Sequence, residues 1–232
     1  MTIREMHYDF KKKFNKIDSQ KNKNLLVPEI DWSLNEAEEL FIKIVANPKL
    51  RNNLGFEVSQ ATTEDIKSIV VSKVVPVTNN IMTLPTDYRY WSRGRAKLTK
   101  GGCIAPSVVI SVEKHDNIFE ESQFYSSSFE WRELNAVFNS QGLQFFTDGT
   151  FTVNEVNLTY IRQTKYMHNA QDFGAGTYNH PSGVALTGSE NCELPAHTHR
   201  GIVDIAVMLA AGEIQASDFQ IKAGKLSFNQ IV

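Results

Sequence analysis

The sequence predicts an α+β fold with N-terminal helices, a central, mainly antiparallel β-sheet and a C-terminal return helix. Two changes in the hydrophobic pattern predict this fold class. Up to about residue 68, apolar residues recur every three or four positions, whereas from residue 69 they form β-branched runs that alternate with polar residues. Helical spacing returns after residue 193. Because strands and helices do not alternate along the chain, the pattern does not fit an α/β fold.

These changes predict three parts that pack as one compact unit: a helical part at 1–68, a sheet part at 69–193, and a return helix with a tail at 194–232. The chain has 232 residues, of which 41% are hydrophobic, and this is enough to bury a core without a metal or a disulfide. Cys103 and Cys192 follow no metal-binding pattern, and we expect both to be buried free thiols.

The first predicted helix spans 2–17 and is amphipathic. Its apolar stripe consists of Ile3, Met6, Phe10, Phe14 and Ile17. Its polar back is basic and consists of Lys11, Lys12, Lys13 and Lys16. We expect the stripe to pack as a helical hairpin on the second helix, against Leu34, Leu40, Phe41 and Ile44.

The second helix begins near Pro28, which suits a first helical turn, and should stop at Asn47-Pro48. A short third helix is predicted from Pro48 to Gly55, and Thr62-Thr63-Glu64-Asp65 indicates another helical start. The return helix begins at Leu194-Pro195 and should end at Gly212.

Six strands are predicted in the sheet part: IVVSKVVPV, KGGCIAPSVVISV, WRELNAVFNS, LQFFTD, FTVN and EVNLTYIRQ. Asp148-Gly149 is the strongest hairpin signal, and Gln141-Gly142 is a second turn. The stretch 172–191 is rich in glycine, serine and asparagine. We expect a long loop there that becomes ordered on assembly.

Charge is nearly balanced overall but uneven along the chain. The formal net charge is −2, with +4 in residues 1–27, +1 in 28–100 and −7 in 101–232. The balance excludes a strongly basic nucleic-acid binder and an acidic disordered protein. The asymmetry indicates different neighbours at the two ends of the chain, or self-association of one end with the other. No apolar run is long enough for a membrane span or a signal peptide, so we expect no membrane partner.

No motif predicts catalytic, cofactor-binding or metal-binding residues. No serine lies in a G-x-S-x-G elbow, and Gly174-Ala175-Gly176 lacks the third glycine of a phosphate-binding loop. The histidine pair His197 and His199 lies near Glu193 at the start of the return helix. Residues two apart on a helix diverge, so polar contacts at the helix start are expected instead of a metal site.

A basic cluster, Arg89, Arg93, Arg95, Lys97 and Lys100, is interleaved with Tyr88, Tyr90 and Trp91. Such residues can contact phosphates and stack on bases. Since the chain has neither an RRM ribonucleoprotein motif nor a helix-turn-helix signature, contact with DNA is expected to be independent of sequence.

Several segments resemble a virion ring protein of crAss-like tailed bacteriophages. They are REMHYDFK, IDWSLNEAEELFIK, LPTDYRYW, HDNIFEESQFYSSSFEWRELN and CELPAHTHRGIVDIAVMLAAGEIQ. The resemblance spans residue 3 to about 221. More distantly, the chain is similar to the tail tubular and head-completion adaptors of short-tailed phages, which combine a helical part with a β-sheet part.

The resemblance implies a structural protein of the virion neck or tail, made in the bacterial host cytoplasm, without enzymatic activity or cofactor. It implies a homo-oligomeric ring of about twelve subunits that joins the portal protein to adjacent tail or ring proteins and lines the DNA conduit. For contacts with genomic DNA, we expect Lys11, Lys12, Lys13 and Lys16 first, and Arg93 and Arg95 second.

Two other functions stay open. The chain could be a monomeric nucleic-acid-associated phage protein that uses the cluster at 88–100. It could also be an enzyme whose site assembles only in three dimensions, around His197, His199 and Glu193. The number of subunits in a ring and the position of that ring in a stack stay open as well.

Overall fold

The computed structural model describes residues 1–14, 25–46, 63–111 and 127–213, and its fold is α+β as predicted. The predicted helix at 48–55, Ile17 and Lys16 lie outside the described residues. The chain divides into two compact units, a sheet unit, Val70–Gln163, and a helical unit, Met1–Ile69 with Thr164–Val232. Residues 164–193 therefore belong with the helices, although the sequence pattern placed them in the sheet part.

The described part of the sheet unit contains seven strands: β1 (Val70–Pro76), β2 (Ile81–Met82), β3 (Tyr88–Lys100), β4 (Cys103–Ser111), β5 (Glu133–Asn139), β6 (Gly142–Phe146) and β7 (Thr152–Arg162). Their order is β1-β7-β3-β4-β5-β6-β2, and all neighbours are antiparallel except β4 and β5. The predicted segments FTVN and EVNLTYIRQ form one strand, β7. The longest strand, β3, was not predicted, because its many charged residues were interpreted only as a basic cluster.

The sheet curls so that its two edge strands approach each other. The edge strands β1 and β2 are consecutive in the chain and are joined by a short turn. Next to that turn, the Val77 amide donates to the Asn154 carbonyl on β7 (3.0 Å), and the Phe145 amide on β6 donates to the Asn80 carbonyl (2.8 Å). One face of the sheet therefore encloses the core of this unit, which includes Met82, Leu98, Leu134, Leu143, Phe145, Val156, Leu158 and Tyr160.

Of the two turns predicted in the sheet, one is confirmed and one is wrong. The turn before Gly142 joins β5 and β6 as an antiparallel hairpin. Gly142 has a φ of 139°, and a Cβ there would lie 2.2 Å from the Met82 carbonyl oxygen. Asp148-Gly149 does not form a hairpin, because β7 pairs with β1 and β3 on its two sides. Instead, the Asp148 carboxylate accepts the Thr150 amide (2.8 Å) in a local turn.

The long helices in the described part of the helical unit are α1 (Ile3–Phe14), α2 (Val27–Ala46) and α3 (His199–Glu213). Instead of forming a hairpin with each other, α1 and α2 both pack mainly against α3. A helix that is apolar around most of its surface needs neighbours on several sides, and α3 is such a helix. Its buried apolar residues are Ile202, Val203, Ile205, Ala206, Val207, Ala210 and Ala211.

The predicted long loop 172–191 contains regular structure. A 3-10 helix, Ala170–Asp172, precedes a two-stranded hairpin of β8 (Thr177–Asn179) and β9 (Ala185–Thr187). Tyr178 at the centre of β8 is buried. The prediction of a long loop is therefore wrong, because a buried aromatic residue anchors the glycine-rich turns around it. The expected gain of order on assembly stays a prediction.

Both cysteines are free, but Cys103 is exposed and Cys192 is only partly buried. The prediction of two buried thiols is therefore wrong. Among the described helices, none is both long and apolar enough to cross a membrane.

Candidate functional site

The outward-facing side of β3 carries three basic residues, Arg93, Arg95 and Lys97. Gly94, Ala96 and Leu98, which alternate with them, are buried. In the register between β3 and β7, Arg93 lies opposite Thr159, Arg95 opposite Asn157, and Lys97 opposite Glu155. Directly opposed residues share one face of a sheet. We call this surface, Arg93, Arg95 and Lys97 with their partners on β7, the outer sheet face.

The two arginines of the outer sheet face are available to bind an external anion. Lys97 forms an ion pair with Glu155. Arg93 and Arg95 are exposed, and neither has an acidic partner within the described part of the chain. Because they are two residues apart on one strand, their Cα atoms are about 6.6 Å apart and both side chains point outward. They can therefore contact neighbouring groups of an external anion such as a phosphate backbone.

Two of the three aromatic residues in the basic cluster support the core. The Tyr88 ring lies 5.8 Å from the Tyr160 ring and 6.5 Å from the Phe138 ring, and burial raises the pKa of Tyr88. Trp91 packs edge-on against Phe138 at 6.0 Å. Its indole lies over Gly94, where a Cβ would come within 2.5 Å of it. The predicted stacking surface for bases is therefore not formed by Tyr88 and Trp91.

The predicted DNA-contacting lysines of α1 differ in their surroundings. Lys11 and Lys12 are exposed. Lys13 forms ion pairs with Asp9 and with Asp204 on α3, both at 2.8 Å. Burial alone would lower the pKa of Lys13, but the hydrogen bonds to the two carboxylates outweigh burial and raise it. Lys13 therefore connects α1 to α3 and is less available to DNA than its neighbours.

The histidine pair does not form a site with Glu193. His197 Nε2 lies 2.7 Å from Asp65 Oδ1, whereas His199 Nε2 lies 2.8 Å from the Leu194 carbonyl. Glu193 accepts the Lys165 amide at 3.0 Å. In the residues that the structure describes, no group of three or more histidine, cysteine, aspartate or glutamate side chains could hold a metal ion.

Asp31 on α2 is the centre of a buried polar network that the sequence analysis missed. Its side chain is fully buried. It accepts the Tyr178 hydroxyl at 2.6 Å and the Asn169 amide at 3.1 Å, and it lies 2.7 Å from His7 Nε2. Asp31 thus links α1, β8 and the segment after residue 164 to α2.

Asn35 and Glu38 continue this network along the same side of α2. The Asn35 side chain exchanges two hydrogen bonds with the backbone of Met167, at 2.7 and 3.0 Å. Glu38 accepts the Thr164 hydroxyl (2.9 Å) and the Cys192 thiol (3.3 Å). The sequence did contain a signal for this network. Asp31, Asn35 and Glu38 are polar residues at i, i+4 and i+7, on a side of the helix that is otherwise apolar.

These interactions favour a structural role for the network. Burial and the neighbouring Glu38 carboxylate raise the pKa of Cys192, so its thiol stays protonated and is a poor nucleophile. Asp31 has several hydrogen-bond partners that fix its position. The network therefore explains how residues 164–193 are held to the helices.

Each unit also exposes large apolar side chains. In the sheet unit they include Ile104, Val108 and Trp131, and in the helical unit they include Leu26, Trp32 and Val184. Trp131 is 81% exposed. Exposed apolar groups of this size often mark surfaces that bind another protein.

Comparison with known proteins assigns no family, since no protein-family model and no curated protein matches the chain. The resemblance to phage ring proteins thus stays a prediction from the sequence.

Proposed function

We propose that this chain is a structural virion protein that forms a ring, connects the portal to the tail of a crAss-like bacteriophage and lines the DNA conduit. The sequence resemblance suggests this role. The observation that supports it best is the presence of two different exposed apolar surfaces, one containing Trp131 and the other containing Trp32. A ring needs two different surfaces that bind head to tail, because identical patches produce a closed dimer.

The outer sheet face supports the proposed contact with DNA. Arg93 and Arg95 point away from the core and have no acidic partner among the described residues. Phosphate contacts of this kind position a duplex without reading its sequence. A conduit must let DNA slide, and a few arginines on a slightly acidic subunit provide weak contacts that do not trap it.

The decisive experiment is imaging of the purified full chain. Negative-stain electron microscopy and mass photometry should be carried out over a range of concentrations, with and without the portal protein. We expect rings with rotational symmetry. A chain that stays monomeric under all these conditions, including with the portal protein, would contradict the proposed function.

The same arginines favour a second function, that of a monomeric nucleic-acid-associated phage protein. The two functions differ in oligomeric state, so the imaging experiment separates them. If the chain stays monomeric but binds duplex DNA, the second function is correct.

A further inference from the structure

We infer that the indole of Trp131 in one copy enters an apolar groove on the helical unit of a neighbouring copy. This inference rests on the proposed function, because it requires a second copy of the chain. It identifies the two surfaces that meet. Trp131 lies in the sheet unit and the groove lies in the helical unit, so the contact is head to tail. Two copies that bind in this way leave one Trp131 and one groove free, and each can bind a further copy until the ring closes.

Trp131 stands on a turn whose backbone is held in place. Its amide donates to Ser128 Oγ at 3.3 Å, and the backbone of Ser128 pairs with that of Glu133. The Arg132 carbonyl accepts both the Ser107 hydroxyl (2.8 Å) and the Val108 amide (3.2 Å). A preorganised turn loses little conformational entropy on binding, so most of the energy gained by burying the indole stabilises the complex.

The groove lies between the start of α2, the β8–β9 turn and α3. Its volume is about 450 Å³, and its apolar walls are formed by Leu25, Pro28, Trp32, Pro181 and Ala210. This volume falls in the range of roughly 300–1,000 Å³ for pockets that receive small ligands, and an indole is smaller than most such ligands. Trp32 is half exposed and offers an aromatic face to an incoming ring.

One exposed charge beside each surface has the opposite sign to the other. Arg132 follows Trp131 directly, is exposed, and has no acidic side chain as partner in the described ranges. Glu29 lines the groove. One Glu29 oxygen, Oε2, accepts the Leu26 amide at 2.7 Å, and in the complex that we infer the carboxylate can also pair with the Arg132 guanidinium. Tryptophan and arginine are the residue types most often found at energetic hot spots of protein interfaces.

The first test places a photoreactive benzoylphenylalanine at position 131 of the full chain. The protein is irradiated over a range of concentrations, and the cross-linked peptides are identified by mass spectrometry. We expect links between chains that reach residues 25–33 or 181–184. Links between chains that reach only other segments, or no link between chains, would overturn the inference.

The second test uses the asymmetry of the contact. Trp131→Ala removes the inserted side chain, and Trp32→Glu puts a charge into the groove. Each variant alone should associate at least about tenfold more weakly than the unchanged chain. When the two are mixed, native mass spectrometry should detect a heterodimer, because one intact surface of each kind remains. Absence of this heterodimer would overturn the inference.

Tyr8→Ala is the matched control, since Tyr8 is another exposed aromatic residue and lies on α1. It should leave association unchanged. If rings form and Trp131→Ala assembles like the unchanged chain, the inference fails and the proposed function stands. If the unchanged chain stays monomeric under all conditions, including with the portal protein, and the benzoylphenylalanine variant gives no link between chains, both fail.

Discussion

At the scale of single residues, Asp31 organises the helical unit. It has no exposed surface and binds groups that come from α1, from β8 and from the segment after residue 164. A buried carboxylate is stabilising only when such partners satisfy its oxygens. The side chain thus connects segments that are distant in sequence.

We predict that Asp31→Ala lowers the free energy of unfolding by about 3 kcal/mol. The substitution leaves the Tyr178 hydroxyl and the Asn169 amide buried without an acceptor, and each such group costs roughly 1–3 kcal/mol. Urea denaturation measures the change. Glu36→Ala on the same helix is the control, since Glu36 is exposed and its loss should change stability by less than about 0.5 kcal/mol. Equal effects of the two variants would contradict this role for Asp31.

A second prediction concerns ionisation of the tyrosines. Burial raises the pKa of Tyr160 to about 12, with a further contribution from its hydrogen bond to Asp87. Burial and the negative charge of Asp31 raise the pKa of Tyr166 to about 12 as well. In the unfolded chain both should ionise near the ordinary pKa of 10. The folded protein therefore retains protons that the unfolded chain loses.

Stability should therefore fall as the pH rises from 10 to about 12. In this range the unfolded chain loses phenolic protons that the folded state keeps, so each increase in pH favours unfolding. Ultraviolet titration of the folded protein should show phenolate absorbance appearing near pH 12, and Tyr160→Phe should remove part of it. The same titration in denaturant serves as the control. A folded protein whose tyrosines all ionise near pH 10 would contradict the prediction.

At the scale of elements, α3 is the common neighbour of α1 and α2. The spacing of apolar residues identified the buried side of α1, and Ile3, Met6, Phe10 and Phe14 are all buried. The spacing could not identify which helix packs on this side of α1, because any apolar helix can cover the same stripe. Ala206 and Ala210 of α3 are buried, and which helix covers them is a property of the tertiary structure.

For α1 we predict that Phe10→Ala lowers the free energy of unfolding by about 3–5 kcal/mol. Phe10 is only 1% exposed, and its ring stacks on Phe14 with centroids 5.7 Å apart. Loss of the ring leaves a cavity next to α3. The thermal midpoint should fall, whereas Tyr8→Ala on the exposed side of α1 should leave it unchanged. An unchanged midpoint for Phe10→Ala would mean that α1 leaves this position and binds another subunit.

At the scale of the whole molecule, net charge and the proposed ring would together determine how strongly the protein binds DNA. The overall charge of −2 makes strong attraction to DNA unfavourable, so any contact depends on local groups such as Arg93 and Arg95. In a ring, symmetry repeats a weak contact around the axis. Binding can then hold DNA without stopping its movement.

We predict that assembled rings bind duplex DNA weakly, without sequence preference and less tightly as salt increases. Arg95→Ala should reduce the slope of log K against log salt by about 0.9 for each phosphate that the arginine neutralises. Lys43→Ala, which removes one exposed positive charge from α2, is the control and should leave the slope unchanged. Fluorescence anisotropy with two duplexes of different sequence measures both effects. Strong preference for one duplex, or an unchanged slope for Arg95→Ala, would contradict a channel role for the outer sheet face.

The fold class, the approximate positions of α1, α2 and α3, and most strands of the sheet unit could be predicted from the sequence. This was possible because local periodicity reports which side of an element is buried. The sequence also placed Arg93 and Arg95 near each other, although β3 was not predicted as a strand. Its aromatic residues suggested base stacking, yet Tyr88 and Trp91 pack into the core.

Which elements are neighbours depends on the tertiary structure. Asp148-Gly149 has the local chemistry of a hairpin, but both edges of β7 are occupied by strands that come from elsewhere in the chain. The hairpin of β8 and β9 likewise depends on Asp31, 147 residues away from Tyr178 in sequence. Strand pairing and buried hydrogen bonds join residues that are distant in sequence. A local sequence pattern does not specify which distant residue will be the partner.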